Sequence, residues 1–321
     1  MKSKTTLMTI LLSFIIIFSI SCSKHKEPIR IAINGWPPCE LWYVAEDQGY
    51  FDDIPVEIVR FTAWSDSLAA LYLGKVDVVH STYFNTIYYN GKGEGASIIL
   101  SSNIILGVEG LVVKKDLSDL KKLKGKKIAV ETGTDEHFLL HKSLEKIGLS
   151  DNDIEIVSTS SENAMELFIK GEVDAAFTYE PFLSNAANAG KGRIALTTDE
   201  NMNYNDCLLA RDESLYKRKD DYAKLIKAWY KAQDFVSKNP EKAYRIMSSK
   251  ENMTSKEFKE YYEKFTFLSF EENKKIFFSN RIEAELNELK TFMLEIDLID
   301  DEVDVKTLYN PSIIKGIKGD L

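Results

Sequence analysis

The sequence contains few cysteines, prolines and glycines, and it has no block of basic residues. Three cysteines in 321 residues are too few for a disulfide scaffold. Seven prolines and 16 glycines exclude a collagen-like or low-complexity chain. Acidic residues outnumber basic residues by 50 to 41, and the formal net charge of −9 argues against nucleic acid as the main partner. The apolar content of 44% is instead typical of a globular protein with one large domain or two.

The long uncharged apolar run of the sequence lies near its start. It extends from Leu7 to Ile20 and follows the basic segment Met1–Lys4. At about 14 residues it is shorter than the roughly 20 that a membrane-spanning helix needs. A basic segment, a short apolar segment and small residues after it are typical of a secretory signal peptide. We therefore expect residues 1–21 to be an export signal and the mature protein to be extracytoplasmic.

Cys22, with the small residue Ser21 before it, resembles the lipobox cysteine of bacterial lipoproteins, although Ser19 stands where leucine is usual. The resemblance implies that Cys22 is acylated and that residues 22–28 form a short tether to the cell membrane. Each acyl methylene that enters the bilayer contributes about 0.8 kcal/mol, so several chains would anchor the protein. The alternative is ordinary cleavage before residue 28, with Cys22 removed or unmodified.

Three short motifs occur twice in the same order, at an offset of 97 or 98 residues. IAING at 31–35 is matched by IAVET at 128–132, VEIV at 56–59 by IEIV at 154–157, and GKVDVV at 74–79 by GEVDAA at 171–176. One such match is weak, but three in order at a near-constant spacing indicate a duplicated unit. Two copies are too few for a solenoid, so the repeat predicts two similar lobes.

Each copy has the pattern strand, helix, strand, helix, strand, which predicts right-handed crossovers and a parallel sheet. We therefore expect an α/β protein with two lobes. The first lobe would begin with residues 29–112, and the second would comprise 113–202, with the crossing at about 113–127. Residues 203–321 would return to the first lobe near 203–210 and then form helices packed on it.

Ligands of open α/β sheets bind beyond the carboxyl ends of the strands. In this chain those positions are polar loops, several of which lead into helix N-termini, where free backbone N–H groups can hold anionic groups. Trp36 and Trp64 add flat apolar faces that can stack on a ring or cover a cation. The candidate ligand contacts are Asn34, Trp36, Trp64, Ser65, Asp66, Ser81, Thr82, Glu109, Thr132, Gly133, Thr134, His137, Tyr179 and Glu180.

Three of these candidates also have a structural interpretation. Ser65 and Asp66 would cap the helix that follows them, and Glu180, beside Pro181, would cap the next helix. A cap and a ligand contact are compatible roles.

Two residue pairs raise the question of a metal or a disulfide. His137 and His141 lie one helical turn apart and could share a metal, but the H-E-x-x-H order is absent and we predict no metal and no cofactor. Cys39 and Cys207 could form a disulfide in an oxidising compartment or remain free buried thiols.

Four segments together resemble the nitrate, sulfonate, taurine and thiamine-precursor class of ABC-transporter substrate-binding proteins. They are Trp36 with LWYVAEDQGYF (41–51), SDSLAALYLGKVDVV (65–79), LKGKKIAVETGT (123–134) and GEVDAAFTYEPFLS (171–184). The resemblance implies a type II periplasmic-binding-protein-like fold with a hinge and a helical C-terminal region. It also implies a monomer that delivers a small solute to a permease and its ATPase, without chemistry on the solute. The family's D-x-S-x-G-A-D segment is altered here to NIILGVE (103–109).

Two other functions remain open from the sequence. One is a sensor subunit for a membrane receptor, and the other is a pyrimidine-precursor synthase of the thiamine pathway, which resembles this class in its lobes. Such synthases carry a cysteine-rich motif and a paired histidine arrangement that this sequence lacks. The predicted loops supply Trp and Glu but neither Lys nor Arg, which favours a solute with a ring or an amine over nitrate.

Overall fold

The structure, a computed structural model, describes residues 27–317 apart from 52–53, 62–63, 92–94, 191, 200–201, 203–204, 252 and 301–302. The predicted signal peptide, Cys22 and most of the predicted tether lie outside the described residues. In the part of the chain that is described, no helix combines the length and the apolar character needed to cross a membrane.

The strands form two sheets, and each sheet centres on three parallel strands. The strands are β1 (Ile29–Ile33), β2 (Val56–Arg60), β3 (Val78–Thr82), β4 (Ala96–Ile105), β5 (Glu109–Lys114), β6 (Lys127–Val130), β7 (Glu155–Ser158), β8 (Ala175–Tyr179), β9 (Gly192–Thr197), β10 (Asn205–Arg211) and β11 (Phe265–Phe267). The first sheet has the order β11-β4-β10-β3-β1-β2, and the second has β7-β6-β8-β5-β9. We name the first sheet with its helices the first lobe, and the second sheet with its helices the second lobe.

The helices lie between the strands and after β10. They are α1 (Leu41–Asp47), α2 (Trp64–Tyr72), α3 (Tyr83–Asn90), α4 (Asp135–Lys146), α5 (Ser161–Lys170), α6 (Phe182–Asn188), α7 (Asp212–Lys217), α8 (Lys219–Lys238), α9 (Pro240–Ser248), α10 (Ser255–Tyr262), α11 (Phe270–Phe278), α12 (Arg281–Glu295) and α13 (Pro311–Gly316). Thr82 and Ser160 cap α3 and α5 by accepting backbone hydrogen bonds through their side chains. Local capping therefore fixes where both helices begin.

The strand orders confirm the repeat found in the sequence. In the first sheet, β1 pairs in parallel with β2 and β3, and β10 lies antiparallel on β3. In the second sheet, β6 pairs in parallel with β7 and β8, and β5 lies antiparallel on β8. Both lobes therefore have the same four-strand arrangement. The antiparallel strand β10 of the first lobe follows the whole second lobe in the chain, whereas β5 of the second lobe directly follows β4 of the first.

The chain crosses between the sheets earlier than the sequence indicated. It leaves the first sheet at Ile105 and joins the second at Glu109, so the first crossing lies at 106–108 rather than within 113–127. The backbone N–H of Gly107 donates to the carbonyl oxygen and to Oγ1 of Thr198, which lies on the return crossing after β9, both at 3.0 Å. The two crossings are thus hydrogen-bonded to each other and form the connection between the lobes.

The helices after β10 pack mainly on the first lobe, where Trp229 of α8 lies in the core. Its ring is 5.0 Å from Trp42 and 5.1 Å from His80, between ring centroids. One of these helices, α12, also contacts the second lobe. It packs on α3 of the first lobe, while its Phe292 contacts the rings of His137, Phe138 and His141 on α4 of the second.

The two remaining cysteines are buried and unbonded. Cys39 and Cys207 are free thiols and do not form the disulfide that was the other alternative. Burial raises the pKa of both thiols, which keeps them neutral.

Candidate functional site

A cleft of about 580 Å³ lies between the two lobes, at the carboxyl ends of the parallel strands. Loops and helix starts of both lobes supply its walls. The lining residues are Asn34, Gly35, Trp36, Trp64, His80, Ser81, Thr82, Asn85, Ile105, Glu109, Glu131, Thr134, Asp135, Glu136, Tyr179, Glu180, Pro181, Phe182, Asp206 and Tyr261. Its size suits a small organic molecule.

The structure brings most of the predicted contact residues together in this cleft. Nine of the 14 line it, namely Asn34, Trp36, Trp64, Ser81, Thr82, Glu109, Thr134, Tyr179 and Glu180. They come from three strand ends of the first lobe, from the start of β5 after the crossing, and from two strand ends of the second lobe. The arrangement follows from the sheet topology, because parallel strands in one sheet end at the same edge.

Five predicted contact residues do not line the cleft. Ser65 and Asp66 are exposed in the first turn of α2, which begins at Trp64, so they do not precede the helix as caps. The hydroxyl of Thr132 is hydrogen-bonded to that of Ser158. Gly133 has φ +75 and faces Leu298. The fifth residue is His137, on α4.

His137 is buried against the C-terminal helices and away from the cleft. Its Nδ1 accepts a long hydrogen bond of 3.4 Å from the Gly133 backbone, and its ring packs edge-on against Phe292. Burial lowers its pKa. Its neighbour His141 bonds to Asp151 at 2.8 Å, and no group of three or more His, Cys, Asp or Glu among the described residues could hold a metal ion.

At the first-lobe side of the cleft, Asp206 and Trp36 form a fixed pair. Oδ2 of Asp206 accepts hydrogen bonds from Nε1 of Trp36 at 2.9 Å and from Nδ2 of Asn103 at 2.8 Å. The Trp36 ring lies edge-on to Phe265 at 5.0 Å and to Tyr261 at 6.2 Å. The indole is therefore held by a hydrogen bond at its polar edge and by contacts with two neighbouring rings.

His80 and Ser81 supply unsatisfied polar atoms on the same side. Nε2 of His80 accepts a hydrogen bond from Nε1 of Trp42 at 3.1 Å, so the proton of the neutral ring lies on Nδ1. Burial lowers the pKa of His80 to about 3, so the ring is neutral. Nδ1 of His80 and Oγ of Ser81 are buried and have no hydrogen-bond partner among the described residues.

At the second-lobe side, the first turn of α4 carries Asp135 and Glu136. Oδ1 of Asp135 accepts a hydrogen bond from Oγ1 of Thr82, and Oδ2 accepts one from Nδ2 of Asn85, both at 3.0 Å. These bonds join the two lobes across the cleft. Burial raises the pKa of both carboxyl groups, and their proximity to other acids adds to the shift.

Two further carboxylates of the second lobe are occupied by helix starts. Oε2 of Glu131 accepts a hydrogen bond from the backbone N–H of Ser161, at the start of α5. Glu180 accepts hydrogen bonds from the backbone N–H and the hydroxyl of Ser184, in the first turn of α6, at 3.2 and 2.7 Å. Glu180 therefore has the capping role that the sequence allowed, while it also lines the cleft.

The charge of the lining has one sign. Six carboxyl groups line the cleft, those of Glu109, Glu131, Asp135, Glu136, Glu180 and Asp206, and no Lys or Arg is among the lining residues. Burial raises the pKa of Asp206 to about 6, and burial together with several cleft glutamates raises that of Tyr179. Glu180 also lies 3.7 Å from Nζ of Lys264, a lysine outside the lining, measured at Oε1.

The sequence could have identified some of the missed lining residues but not others. Asp135 and Glu136 directly follow Thr134 at a predicted helix start, so the helix N-terminus was a sufficient signal. Asp206 and Tyr261 lie far along the chain from the other loops. They reach the cleft only because β10 inserts between β3 and β4 and because α10 packs beside Trp36.

Comparisons with known proteins agree with this architecture. A putative aliphatic sulfonates-binding protein of Bacillus subtilis is 26% identical over 302 residues, which cover 91% of this chain and 89% of that protein. The periplasmic aliphatic sulphonate binding protein SsuA of Escherichia coli matches in structure with a TM-score of 0.72 at 19% identity, over 88% of this chain and 92% of that one. The periplasmic nitrate-binding protein NrtA of Synechocystis PCC 6803 matches with a TM-score of 0.63 at 14% identity, over 90% and 88%.

These structural matches confirm the periplasmic-binding-protein fold expected from the motifs. The family model described as NMT1/THI5 like matches residues 37–243. That range includes strands β2, β3, β4 and β10 of the first lobe, the whole second lobe and the start of the C-terminal helices. The chain belongs to the NMT1/THI5-like family.

Proposed function

We propose that this protein is the extracytoplasmic solute-binding component of an ABC importer, which captures a small organic solute between its lobes and delivers it to a permease. The observation that carries the proposal is the cleft between two lobes that are joined by two adjacent crossings. Such a connection allows the lobes to close around a ligand. Binding then favours the closed form by the difference in affinity between the two forms.

The solute is an amine-bearing or ring-bearing cation rather than a sulfonate or nitrate. Relatives are named for aliphatic sulfonates, but the lining of this cleft has six carboxyl groups and neither Lys nor Arg. Ionised carboxylates that share a partly buried cleft repel each other. A cation removes that repulsion, and Trp36 and Trp64 give its ring or its ammonium group an aromatic face.

The alternative functions receive less support. A pyrimidine-precursor synthase would need the cysteine-rich motif and the paired histidines that the sequence lacks. Several relatives are named as binding proteins, while one is named a putative thiamine biosynthesis protein. A sensor subunit would bind solute in the same way. Genes for a permease and an ATPase beside this gene would favour import, and a histidine kinase gene would favour sensing.

A ligand screen tests the solute class. The protein is purified from cells expressing the full chain, and its melting temperature is measured with benzylamine, benzamidine, benzyl alcohol, benzenesulfonate and taurine. A ligand at 100 times its Kd stabilises the protein by about 2.7 kcal/mol. We expect the two cations to raise the melting temperature and benzenesulfonate to leave it unchanged. If benzenesulfonate raises it and the cations do not, the proposed solute class is wrong.

Acylation of Cys22 is part of the same proposal and has its own test. Cells producing the full chain are grown with a labelled fatty acid, and label is measured in the wild type, in Cys22→Ser and in the matched control Cys39→Ser. We expect label in the wild type and in Cys39→Ser only. Equal labelling of Cys22→Ser, or no labelling of the wild type, would show that the anchor is not at Cys22.

A further inference from the structure

The carboxylate of Asp206 is held at one oxygen and is open at the other. Oδ2 accepts both of its hydrogen bonds, from Trp36 and Asn103. Oδ1 receives none from the described residues, and no basic side chain among them pairs with this carboxylate. Asp206 is nevertheless 5% exposed and lines the cleft. A buried carboxylate in this state has an unused acceptor and no positive partner.

The hydroxyl of Ser81 is a second unsatisfied group in the lining of the cleft. In the sheet, Ser81 pairs with Cys207 and Thr82 pairs with Asp206, so Ser81 projects to the opposite face of the sheet from Asp206, at the same end of the strands. Ser81 is 3% exposed, lines the cleft, and its Oγ has no hydrogen-bond partner among the described residues. Buried polar groups are normally hydrogen-bonded, so this edge of the cleft is built for a polar group that comes from outside.

The geometry does not depend on closure of the lobes. Trp36, Asn103 and Asp206 all belong to the first lobe, and the Trp36 ring is fixed by Phe265 and Tyr261 of the same lobe. The open oxygen and the indole therefore keep their relative positions before a solute arrives. Such preorganisation reduces the entropy cost of binding.

We infer that Asp206 selects the charge of the solute, by accepting a charge-assisted hydrogen bond at Oδ1 from an ammonium or amidinium group that lies against Trp36. This inference rests on the proposed function, since it assigns one end of the same cleft. Ser81 would accept or donate a hydrogen bond to another polar group of the solute.

The ionisation of Asp206 gives the inference a pH signature. Burial raises its pKa to about 6, while the hydrogen bonds from Trp36 and Asn103 lower it. The titratable groups near it are His80 on β3, Cys39 before α1, Cys207 on β10, Tyr261 on α10, Asp135 on α4, and Glu109 and Glu180 in the lining. A cation binds the ionised carboxylate, so its affinity falls as the pH drops through 6, and a neutral solute shows no such loss from this residue.

The test compares the wild type, Asp206→Asn and the control Asp212→Asn by calorimetric titration. Asp212 follows the opposite end of β10, where it accepts a hydrogen bond from Ser97. The probes are benzylamine and its neutral counterpart benzyl alcohol, each at pH 7.5 and pH 5.0. We expect Asp206→Asn to bind benzylamine at least about tenfold more weakly at pH 7.5, as the loss of a charge-assisted bond predicts. The affinity of Asp206→Asn for benzyl alcohol should equal that of the wild type. The Asp212→Asn variant should bind benzylamine as tightly as the wild type does.

Different results overturn different statements. If the wild type binds benzylamine and Asp206→Asn binds it equally well, the assignment of Asp206 is wrong and the proposed solute class stands. If the wild type binds benzenesulfonate in preference to benzylamine, both the proposed solute class and the assignment of Asp206 are wrong. The pH dependence of the wild type needs no variant, so equal benzylamine affinity at pH 7.5 and 5.0 would overturn the role of Asp206 even if the Asn variant did not fold.

Discussion

Asp206 and Asp135 line the same cleft from opposite lobes, and they differ in where their hydrogen-bond donors lie. Both donors to Asp206, Trp36 and Asn103, belong to its own lobe. Both donors to Asp135, Thr82 and Asn85, belong to the other lobe. The environment of Asp206 therefore persists when the lobes separate, whereas that of Asp135 exists only when they are close. The carboxyl group of Asp206 is therefore placed to recognise a solute, and that of Asp135 is placed to stabilise the closed form.

The same difference holds for the lobes as wholes. The first lobe carries β11 and most contacts of the C-terminal helices, and the main core continues from it into one face of the second sheet. The second lobe has a separate small core on its other face, under α5 and α6. It is joined to the first lobe by the two crossings, by α12 and by the Asp135 hydrogen bonds. We expect the second lobe to be the part that moves.

The largest effect should come from removing the ring that joins α12 to the second lobe. Phe292 is 3% exposed and contacts three rings of α4. Phe292→Ala should lower the free energy of unfolding by about 3–5 kcal/mol, because it leaves a cavity in the core. Phe278→Ala, at a position 53% exposed on α11, is the control and should change it by less than about 0.5 kcal/mol. Urea unfolding measures both, and similar losses would contradict the bridging role.

Asp206→Asn should raise the free energy of unfolding at neutral pH, although it is expected to weaken the binding of a cation. Burial raises the folded-state pKa of Asp206 to about 6, so the folded protein holds this proton more tightly than the unfolded chain does. The stability it contributes is full below the unfolded pKa and is lost as the pH rises through 6, by roughly 2–3 kcal/mol. Asn cannot ionise, so the variant should exceed the wild type in stability at pH 7.5. An Asn variant with the wild-type pH dependence would show that another group titrates there.

Asp135→Ala should act on closure. It leaves the Thr82 hydroxyl and the Asn85 amide without their cross-lobe acceptor, a loss of about 2 kcal/mol from the closed form. Small-angle scattering of the solute-free protein should report a larger radius of gyration for this variant, whereas Asp206→Asn should scatter like the wild type. If both variants scatter alike, the assignment of closure to Asp135 fails.

The smallest effect should come from the first crossing. Gly107 has φ +72 with no atom within 4 Å of a Cβ placed there. Gly107→Ala therefore meets no steric clash with neighbours, but the strained backbone should cost about 1 kcal/mol. Gly95→Ala, whose φ is outside that region, is the matched control. In thermal melts, Gly107→Ala should melt a few degrees below Gly95→Ala. Equal melting temperatures would show that the backbone of the crossing adjusts to an alanine without strain.

Much of the fold could be predicted from local sequence. Pro37 and Pro38 at a helix start, glycines at helix ends and β-branched runs identified the repeated units, and the observed elements agree to within a few residues. Nine of the residues predicted from the polar loops after the strands line the cleft, and their contact with a ligand stays a prediction. The crossing was mislocated because β5 has the same apolar pattern in either sheet, and periodicity does not report which sheet a strand joins. The five predicted contacts that do not line the cleft share a position in a loop or near a helix start: Ser65, Asp66, Thr132, Gly133 and His137. Local sequence does not determine whether such a residue faces the cleft, because that depends on how the loop or helix packs in the tertiary structure.

The sequence by itself determined two similar α/β lobes, their helix starts and ends, and a cleft edge rich in Trp and acid, because capping, glycine conformation and strand periodicity act between neighbours in the chain. Only the tertiary structure decided that Asp206 lies between Trp36 and Asn103, that Asp135 bonds to the opposite lobe, and that α12 bridges the two. These contacts join residues 50 to 170 positions apart, and their existence depends on which strands pair and how the lobes close.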